Sequence, residues 1–444
     1  MNLIVRPGRP LQGTCPVPGD KSISHRAILF AAMAEGRSAI EGVLISGVTK
    51  PMLEAIREVG AAWNLEGRRL NVHSPGWPRW HPPATPLACG NSATTLRLLA
   101  GALAAAGVPA TLDGSEGLRR RPMGRLIEPL QKMGVPIRGT EAGTAPLVLS
   151  ARPLHQRLRA LEIRLPVASA QVKSALLLAA LAADGPVTVV EPQLSRDHTE
   201  RLLHAMGATV ETTLADDGTA RHTLTPPSRS LSPFTLVPPG DFSSAAFLIV
   251  AALITPGSHL RLPGVGLNPG RTGLLDTLQE MGGWVRVLEI RERQGEPVGE
   301  IEVRHSPLRG IRIGGARVPA MIDEFPAFAA AAACAEGSSE VHGAEELRHK
   351  ESDRIGALCE ELRKVGVETE EYRDGFRIVG RRAIPGGVCD PHGDHRLAMA
   401  MAVLGLAAAG PIRVRHAEIT EESFPDFAGV LQRLGADVRL EREA

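Results

Sequence analysis

The stretch PGDKSISHRAILFAAMAEG, residues 18–36, joins a polar, charged start to an almost wholly apolar remainder. Asp20 is of the residue type that caps helix N-termini, and the apolar run after it predicts a helix buried on all sides. Lys21 and Arg26 then fall in the first two turns, where the positive end of the helix dipole disfavours cations. An anionic ligand would compensate both charges, so the stretch predicts a buried helix that begins at an anion site.

The same plan of a polar head, an Ala/Leu-rich run and a glycine occurs six times, at intervals of roughly 70 to 80 residues. The heads are Asp20, Asn91, Ser169, Asp241, Asp323 and Asp394. Each head is expected to cap its helix, and each tail glycine to lie just past the last turn. Alternating stretches and second helices lie between the six segments, so each unit is predicted to be β-α-β-α-β-β.

Six such units in 444 residues predict an α/β protein of two domains, with three units in each. If the buried helices of a domain run parallel, their N-termini emerge together on one face. Two such faces across a cleft would gather free N–H groups and positive dipole ends into one anion site. Lys173 and Arg396, near two further helix starts, favour this interpretation over the alternative of surface charges on frayed first turns.

Composition limits the partners. Lys and Arg total 50 against 49 Asp and Glu, and this net charge of +1 offers no general attraction for nucleic acid or an anionic membrane. The N-terminal residues lack the pattern of a signal peptide and no apolar run reaches the length of a membrane span, so we expect a cytoplasmic protein. The five cysteines include no CxxC pair, which predicts reduced thiols and neither disulfides nor a zinc site.

Seven motifs identify a resemblance. In chain order they are GDKSISHR, GNSATTLR, RRRPMGR, SAQVKSA, KESDR, GDHR and SFPDF. Together they resemble the 5-enolpyruvylshikimate-3-phosphate synthase family (3-phosphoshikimate 1-carboxyvinyltransferases), from near residue 12 to the last helix. SRDHTERL, SAQVK and GDKS are similar to the glyphosate-tolerant class of that family.

The resemblance implies transfer of the enolpyruvyl group of phosphoenolpyruvate to the 5-hydroxyl of shikimate 3-phosphate, with release of phosphate, on the shikimate pathway to the aromatic amino acids. It implies no metal or organic cofactor. From the composition we expect no nucleic-acid or membrane partner, and we expect a monomer. The implied architecture is the two-domain enolpyruvyl transferase fold with helix N-termini facing an interdomain cleft. The expected domains are residues 1–19 plus 240–444, and residues 20–239.

The resemblance also implies roles for individual residues. Lys21 is expected to touch phosphoenolpyruvate and to serve in proton transfer. Ser22, Arg26 and Arg196 are expected to hold shikimate 3-phosphate. The loop Ser169, Ala170 and Gln171 is expected to bind the same substrate, with Ala170 offering only its backbone and Gln171 spanning both ligands.

Arginines and carboxylates complete the implied site. Arg121 is expected to clamp phosphoenolpyruvate, with Arg354 and Arg396 as its partners, because a planar guanidinium binds an oxyanion through two parallel hydrogen bonds. Asp323 is the candidate base for the reacting hydroxyl, although a helix-capping role would also explain it. Glu351 is the second carboxylate, with Lys350 on the shikimate side, and which carboxylate acts at which step stays open.

Two positions depart from the family pattern. Ala93 stands where many members have Gly, and its methyl group is expected to crowd glyphosate, which is longer than phosphoenolpyruvate. Glu422 stands where some members carry Lys, which puts a contribution of this position to phosphoenolpyruvate binding in doubt.

Three other functions are alternatives to this interpretation. The nearest is a UDP-N-acetylglucosamine enolpyruvyl transferase, but that family has Lys-Asn where Lys21-Ser22 stands here, and a cysteine that residues 111–125 lack. The near-neutral net charge argues against an RNA 3′-phosphate cyclase, because such an enzyme binds a nucleic acid. A catalytically inactive anion binder would be expected to have lost some of the charged site residues, yet all of them are present.

Overall fold

The computed structural model describes residues 1–442 and forms two compact units. The contiguous unit comprises Gly19–Pro238 with Gln294–Glu296, and the split unit comprises Met1–Pro18, Pro239–Arg293 and the chain from Pro297 onward. Each unit has its own hydrophobic core. No helix within residues 1–442 is long and apolar enough to cross a membrane.

The strands, in chain order, are β1 (Asn2–Arg6), β2 (Gln12–Thr14), β3 (Glu35–Glu41), β4 (Ala62–Glu66), β5 (Arg69–Pro75), β6 (Leu87–Ala88), β7 (Ala110–Asp113), β8 (Ile137–Arg138), β9 (Leu147–Leu149), β10 (Glu162–Arg164), β11 (Val187–Glu191), β12 (Thr209–Leu214), β13 (Ala220–Thr225), β14 (Thr235–Leu236), β15 (His259–Gly266), β16 (Trp284–Arg293), β17 (Glu296–Arg304), β18 (Arg312–Ile313), β19 (Ser338–Val341), β20 (Glu368–Tyr372), β21 (Gly375–Val379), β22 (Gly387–Cys389), β23 (Ile412–Val414) and β24 (Asp437–Glu441).

The α-helices are α1 (Lys21–Met33), α2 (Lys50–Glu58), α3 (Ala93–Ala106), α4 (Glu116–Arg119), α5 (Gly124–Lys132), α6 (Ala170–Ala180), α7 (His198–Ala205), α8 (Phe242–Ile254), α9 (Gly273–Glu280), α10 (Arg317–Ala320), α11 (Phe325–Ala333), α12 (Arg354–Lys364), α13 (His395–Gly405) and α14 (Phe427–Arg433). Short 3₁₀ helices span Trp77–Arg79, Glu345–His349 and Ala417–Glu422.

The strands form six four-stranded sheets that share one pattern. The contiguous unit contains the orders β14-β3-β5-β4, β6-β7-β9-β8 and β10-β11-β13-β12, and the split unit contains β16-β17-β15-β2, β18-β19-β21-β20 and β22-β23-β1-β24. Each sheet has one parallel pair at an edge, such as β10 with β11, and the next pair of strands is antiparallel. The six β-α-β-α-β-β units expected from the repeat are thereby confirmed.

Three sheets are completed by strands from distant parts of the chain. β14 pairs in parallel with β3, so that Leu236 lies opposite Ile40. β2 pairs in the same way with β15, and β1 lies between β23 and β24. In each of these three sheets, one strand therefore comes from a chain segment outside the repeat that supplies the other three strands.

The helices at the heads of the repeats form the centre of each unit. In α8 every residue from Phe242 to Ile254 is buried, as expected for a helix that is apolar all round. α3 packs against α6 and α1 in the contiguous unit, while α8, α11 and α13 pack against one another in the split unit.

Two details of the helix ends differ from the expectations. The N-cap of α3 is Ser92, not Asn91, and that of α11 is Glu324, not Asp323. Among the six helices only α3 has glycine at its C-cap, Gly107 at φ 65°. The other head helices end three to five residues before the tail glycine. The C-cap residues of α1 and α8, Ala34 and Thr255, have extended conformations, whereas those of α6, α11 and α13 keep helical ones.

Candidate active site

The starts of three helices meet within the contiguous unit. Arg26 on α1 donates from Nη2 to Ser174 Oγ on α6 at 2.8 Å. Gln171 on α6 donates from Nε2 to Thr94 Oγ1 on α3, also at 2.8 Å. These side-chain contacts confirm that the polar heads of three repeats come together.

Ser22 lies between two guanidinium groups. Arg26 donates from Nη1 to the Ser22 carbonyl oxygen at 3.0 Å, and Arg196 Nη1 lies 3.4 Å from Ser22 Oγ. Burial, followed by repulsion from Arg196, lowers the pKa of Arg26 to about 10. Two like charges held on one serine at a helix start form a place where a dianion would be stabilised.

The loop at the start of α6 lies beside this pair. Ser169 caps the helix, its hydroxyl accepting from the amide of Val172, and Ser169, Ala170 and Gln171 are all partly exposed, as is Lys21. The Gln171 amide is held on both sides, because its Oε1 accepts from Arg97 Nη1 at 2.6 Å while its Nε2 bonds to Thr94.

Arg97 is a residue that the sequence analysis did not single out. Besides orienting Gln171, it donates from Nη2 to the carbonyl oxygen of Pro122 at 3.3 Å, directly after Arg121. It lies four residues after Ala93 on α3 and is buried. Its place inside GNSATTLR, as a cation in an otherwise apolar helix, was the available signal.

Arg121 and Ala93 are both buried. Arg121 follows the short helix α4 and precedes α5, and its side chain is 8% exposed. Ala93 is the first residue of α3, immediately after the capping Ser92, and is 5% exposed. Adding or removing a methyl group at Ala93 therefore changes the packing around the start of α3.

Lys173 does not contribute to the anion site predicted at the helix starts. Its ammonium is fully buried and lies 3.0 Å from Glu191 Oε2 and 2.8 Å from Glu200 Oε1. Burial alone would lower the pKa of Lys173, but the two carboxylates hold it above its usual value. Its charge is thus neutralised by residues of β11 and α7, distant in sequence, rather than left for a ligand.

The split unit brings together a second set. Arg396, near the start of α13, donates from Nη1 to the carbonyl oxygen of Asp323 at 2.8 Å, just before α11. Ser243 at the start of α8 donates to the Glu324 carboxylate. The heads of the three repeats in this unit therefore also converge, as the sequence predicted.

Asp323 does not cap α11. Its Oδ1 lies 3.4 Å from Lys350 Nζ and 3.6 Å from Arg354 Nη1, and the side chain is 16% exposed. A simple capping role is therefore excluded, and the partly exposed carboxylate lies between two cations.

Arg354 is the centre of this set. It is buried, and it donates from Nε to Asp394 Oδ2 at 2.7 Å and from Nη2 to Glu351 Oε2 at 2.7 Å. Burial would lower the pKa of Arg354, but Asp394, Glu351 and Asp323 raise it above the usual value. Lys350 and Glu351, carried on the loop before α12, are each about one-fifth exposed.

Glu422, the position in doubt, contacts the GDHR motif. Its Oε2 lies 3.4 Å from Nδ1 of the buried His395, the residue before Arg396. In this chain the position therefore carries an acid paired with an imidazole.

One group of side chains in the split unit has the spacing of a metal site. Ligand atoms of Glu360, Glu361 and His392 lie within 4.8 Å of one another. Lys364 Nζ, however, lies 2.8 Å from Glu360 and 2.7 Å from Glu361. The lysine supplies the positive charge that a cation would otherwise bring, so this group is explained as an ion-pair network.

The comparisons with known proteins decide the family. The family described as EPSP synthase (3-phosphoshikimate 1-carboxyvinyltransferase) matches residues 5–431. The chain belongs to the EPSP synthase family. A relative named 3-phosphoshikimate 1-carboxyvinyltransferase from Acidithiobacillus ferrooxidans is 46% identical over 438 residues, covering 97% of each chain.

Solved structures agree with this membership. EPSP synthase from Acinetobacter baumannii superposes with a TM-score of 0.86 at 38% identity, covering 99% of this chain and all of that one. The enolpyruvyl transferase NikO from Streptomyces tendae has a TM-score of 0.78 at 22% identity, covering 100% of this chain and 99% of that one. The latter similarity shows the shared fold alone, and together they confirm the predicted α/β enolpyruvyl transferase fold.

Proposed function

We propose that this chain transfers the enolpyruvyl group of phosphoenolpyruvate to the 5-hydroxyl of shikimate 3-phosphate and releases phosphate, a step of the shikimate pathway towards aromatic amino acids. The observation that supports this most directly is the pair of guanidinium groups of Arg26 and Arg196 on Ser22. It sits at converging helix starts in a chain of the EPSP synthase family.

The proposed binding residues divide by substrate. For shikimate 3-phosphate they are Ser22, Arg26, Ser169, Ala170, Gln171, Arg196, Asp323 and Lys350. For phosphoenolpyruvate they are Lys21, Ala93, Arg121, Arg354 and Arg396. All but Ala93 and Ala170 offer polar or charged side chains, which suits two polyanionic substrates.

The reaction requires a proton to reach the methylene carbon of phosphoenolpyruvate while the 5-hydroxyl oxygen bonds to the neighbouring carbon. The tetrahedral intermediate then loses phosphate as a proton leaves the new methyl group. Asp323 is proposed to take the hydroxyl proton, since its carboxylate is partly exposed and lies 3.4 Å from Lys350 Nζ. Lys21 and Glu351 are proposed to move the other protons, and the arginines stabilise the developing charge.

We further propose that the enzyme works in the cytoplasm as a monomer, without nucleic-acid or membrane partners. The net charge of +1 supports the lack of nucleic-acid and anionic-membrane partners. The domains are proposed to be residues 1–19 plus 240–444, and residues 20–239.

The deciding experiment measures phosphate release from phosphoenolpyruvate with and without shikimate 3-phosphate. We expect release only when both substrates are present, and Arg196→Met should raise the KM for shikimate 3-phosphate by more than that for phosphoenolpyruvate. No release with shikimate 3-phosphate, together with release when UDP-N-acetylglucosamine replaces it, would reject the proposal in favour of the related enolpyruvyl transferase.

Ala93 is proposed to make the enzyme tolerant of glyphosate, because a buried methyl group at the start of α3 leaves less room for the longer inhibitor. We expect Ala93→Gly to lower the glyphosate inhibition constant at least roughly tenfold, about the effect of relieving 1.4 kcal/mol of crowding. Inhibition is measured against phosphoenolpyruvate.

Ala170→Gly is the matched control for this prediction. Ala170 is likewise the first residue of a helix capped by serine, so it reproduces the backbone effect of the substitution. Equal sensitivity of both variants to glyphosate, or no change in Ala93→Gly, would contradict the role of Ala93.

A further inference from the structure

A cluster of charged side chains lies buried in the contiguous unit beneath the start of α6. It consists of Lys173, Glu191, Glu200 and His222, which we call the buried charge cluster. Lys173 bonds to both carboxylates, and His222 lies 3.3 Å from each of them, with Nε2 towards Glu191 and Nδ1 towards Glu200. The two glutamates thus share the same two partners.

Only one of them also reaches the substrate-binding loops. Glu191 Oε1 accepts from the Ser169 amide at 2.9 Å, and both its oxygens accept from Ser195 Oγ, at 2.8 and 2.7 Å. The amide and the hydroxyl each have a single hydrogen, and both hydrogens are given to Glu191. Glu200 therefore contributes to the charge balance of the cluster but not to holding these serines.

The two serines carry the residues that we assign to shikimate 3-phosphate. Ser169 is the cap of α6 and is followed by Ala170 and Gln171, whereas Ser195 directly precedes Arg196. A single carboxylate at the end of β11 therefore ties together two loops that are more than 20 residues apart in sequence.

We propose that Glu191 is a positioning residue for the phosphorylated substrate: its carboxylate sets the separation of Ser169 from Arg196. The inference rests on the proposed function for the identity of that substrate. Glu191 touches neither substrate and acts through the two loops.

The charge state of Glu191 suits this role. Burial alone would raise the pKa of Glu191, but His222, Lys173 and the serine donors lower it to about 2. The side chain is therefore ionised at neutral pH, and both oxygens accept hydrogen bonds.

The test compares Glu191→Gln with Glu200→Gln. Each variant removes one carboxylate from Lys173 and His222, but only Glu191→Gln loses acceptors for Ser169 and Ser195. We expect Glu191→Gln to raise the KM for shikimate 3-phosphate roughly tenfold or more, in line with the loss of charged hydrogen bonds. Its kcat and its KM for phosphoenolpyruvate should change much less, and Glu200→Gln should leave all three near wild type.

Amide hydrogen exchange supplies a readout without substrate. The amides of Ser169 and Ser195 both donate to Glu191, at 2.9 and 3.4 Å, so faster exchange of one or both is expected in Glu191→Gln and not in Glu200→Gln. If wild type released no phosphate, the proposed function would fail, while the exchange data would still decide whether Glu191 holds the two loops.

Ser195→Ala tests the same link should Glu191→Gln fail to fold. It removes only the hydroxyl donor and should raise the KM for shikimate 3-phosphate about three- to tenfold, as expected for one hydrogen bond to a charged group. Equal effects of the Glu191 and Glu200 variants, or an unchanged KM in both Glu191→Gln and Ser195→Ala, would overturn the proposal.

Discussion

Individual charged residues in this protein differ mainly in the partners that surround them. Arg26 and Arg196 bring like charges together, whereas Lys173 and Arg354 are each surrounded by carboxylates. All are cations near helix starts. The mutual repulsion of the first pair favours binding of an external anion, while the second pair also orients carboxylates of the protein itself.

Arg354→Met is expected to destabilise the fold by about 3–5 kcal/mol, because Asp394 would remain fully buried without its main counter-charge. Urea unfolding measures this loss. Adding Asp394→Asn to the variant should restore part of the stability.

The exposed pair of Arg373 with Glu345 is the control, and Arg373→Met should change stability by less than about 0.5 kcal/mol. Equal costs for the Arg354 and Arg373 variants would contradict the importance of burial.

Glu191 makes stability depend on pH. The pKa of Glu191 is about 2 in the folded protein, against 4.5 for an ordinary glutamate, which we take for the unfolded chain. As the pH falls, the unfolded chain is therefore protonated first. The stabilisation is complete above pH 4.5 and is lost as the pH falls towards 2. Between pH 5.5 and 3, wild type should lose about 2 kcal/mol more unfolding free energy than Glu191→Gln. The free energy of unfolding is measured in urea at each pH, and an equal fall with pH in the two proteins would refute this.

The helices of the repeat heads pack closely because they are built from small residues. Gly101 on α3 faces α6, and an added Cβ would overlap the carbonyl oxygen of Ala175. The same two helices carry Ala93 and Gln171 at their starts. Their separation therefore affects both stability and the geometry of the candidate site.

Gly101→Ala is expected to cost roughly 1–3 kcal/mol despite the better helix propensity of alanine, because α3 and α6 must move apart. Thermal or urea unfolding gives the cost. Gly124→Ala, at the first position of α5, is the control, since its added Cβ would make only ordinary contact with Glu128. That variant should be neutral or stabilising by up to about 1 kcal/mol. A neutral Gly101→Ala would contradict the close packing.

The two units of the molecule have separate hydrophobic cores, and the core of the contiguous unit draws its residues from Ile23 to Leu236. Its sheets are all closed within Gly19–Pro238, because β14 returns to pair with β3. Residues 19–238 are therefore expected to fold without the rest of the chain.

A fragment of residues 19–238 is expected to fold and to unfold cooperatively in urea, followed by circular dichroism. It should be less stable than in the whole protein, since His198 loses Glu296, which lies 2.7 Å from its Nδ1. A fragment ending at residue 228 lacks β14 and should be less stable still, because the edge of β3 is left unpaired. A fragment 19–238 without a cooperative transition would disprove its independence.

The amino-acid sequence was sufficient for features that depend on neighbours along the chain. The period of the repeat, the buried character of its helices, and the caps Asp20, Ser169, Asp241 and Asp394 follow from local spacing and side-chain chemistry. The motif order was sufficient for the family. Local spacing misplaced the caps at Asn91 and Asp323 by one residue, because several polar residues compete at those starts.

Tertiary contacts determined the features that depend on distant partners. Lys173 has the same local pattern as Arg26, yet it bonds to Glu191 and Glu200 because β11 and α7 bring those carboxylates to it. Arg97 is recognisable as a positioning residue only once α6 places Gln171 beside it. The electrostatic potential that a ligand meets is the sum of contributions from all charges nearby in space. The packing of the repeats, rather than the local sequence, determines which charges are nearby.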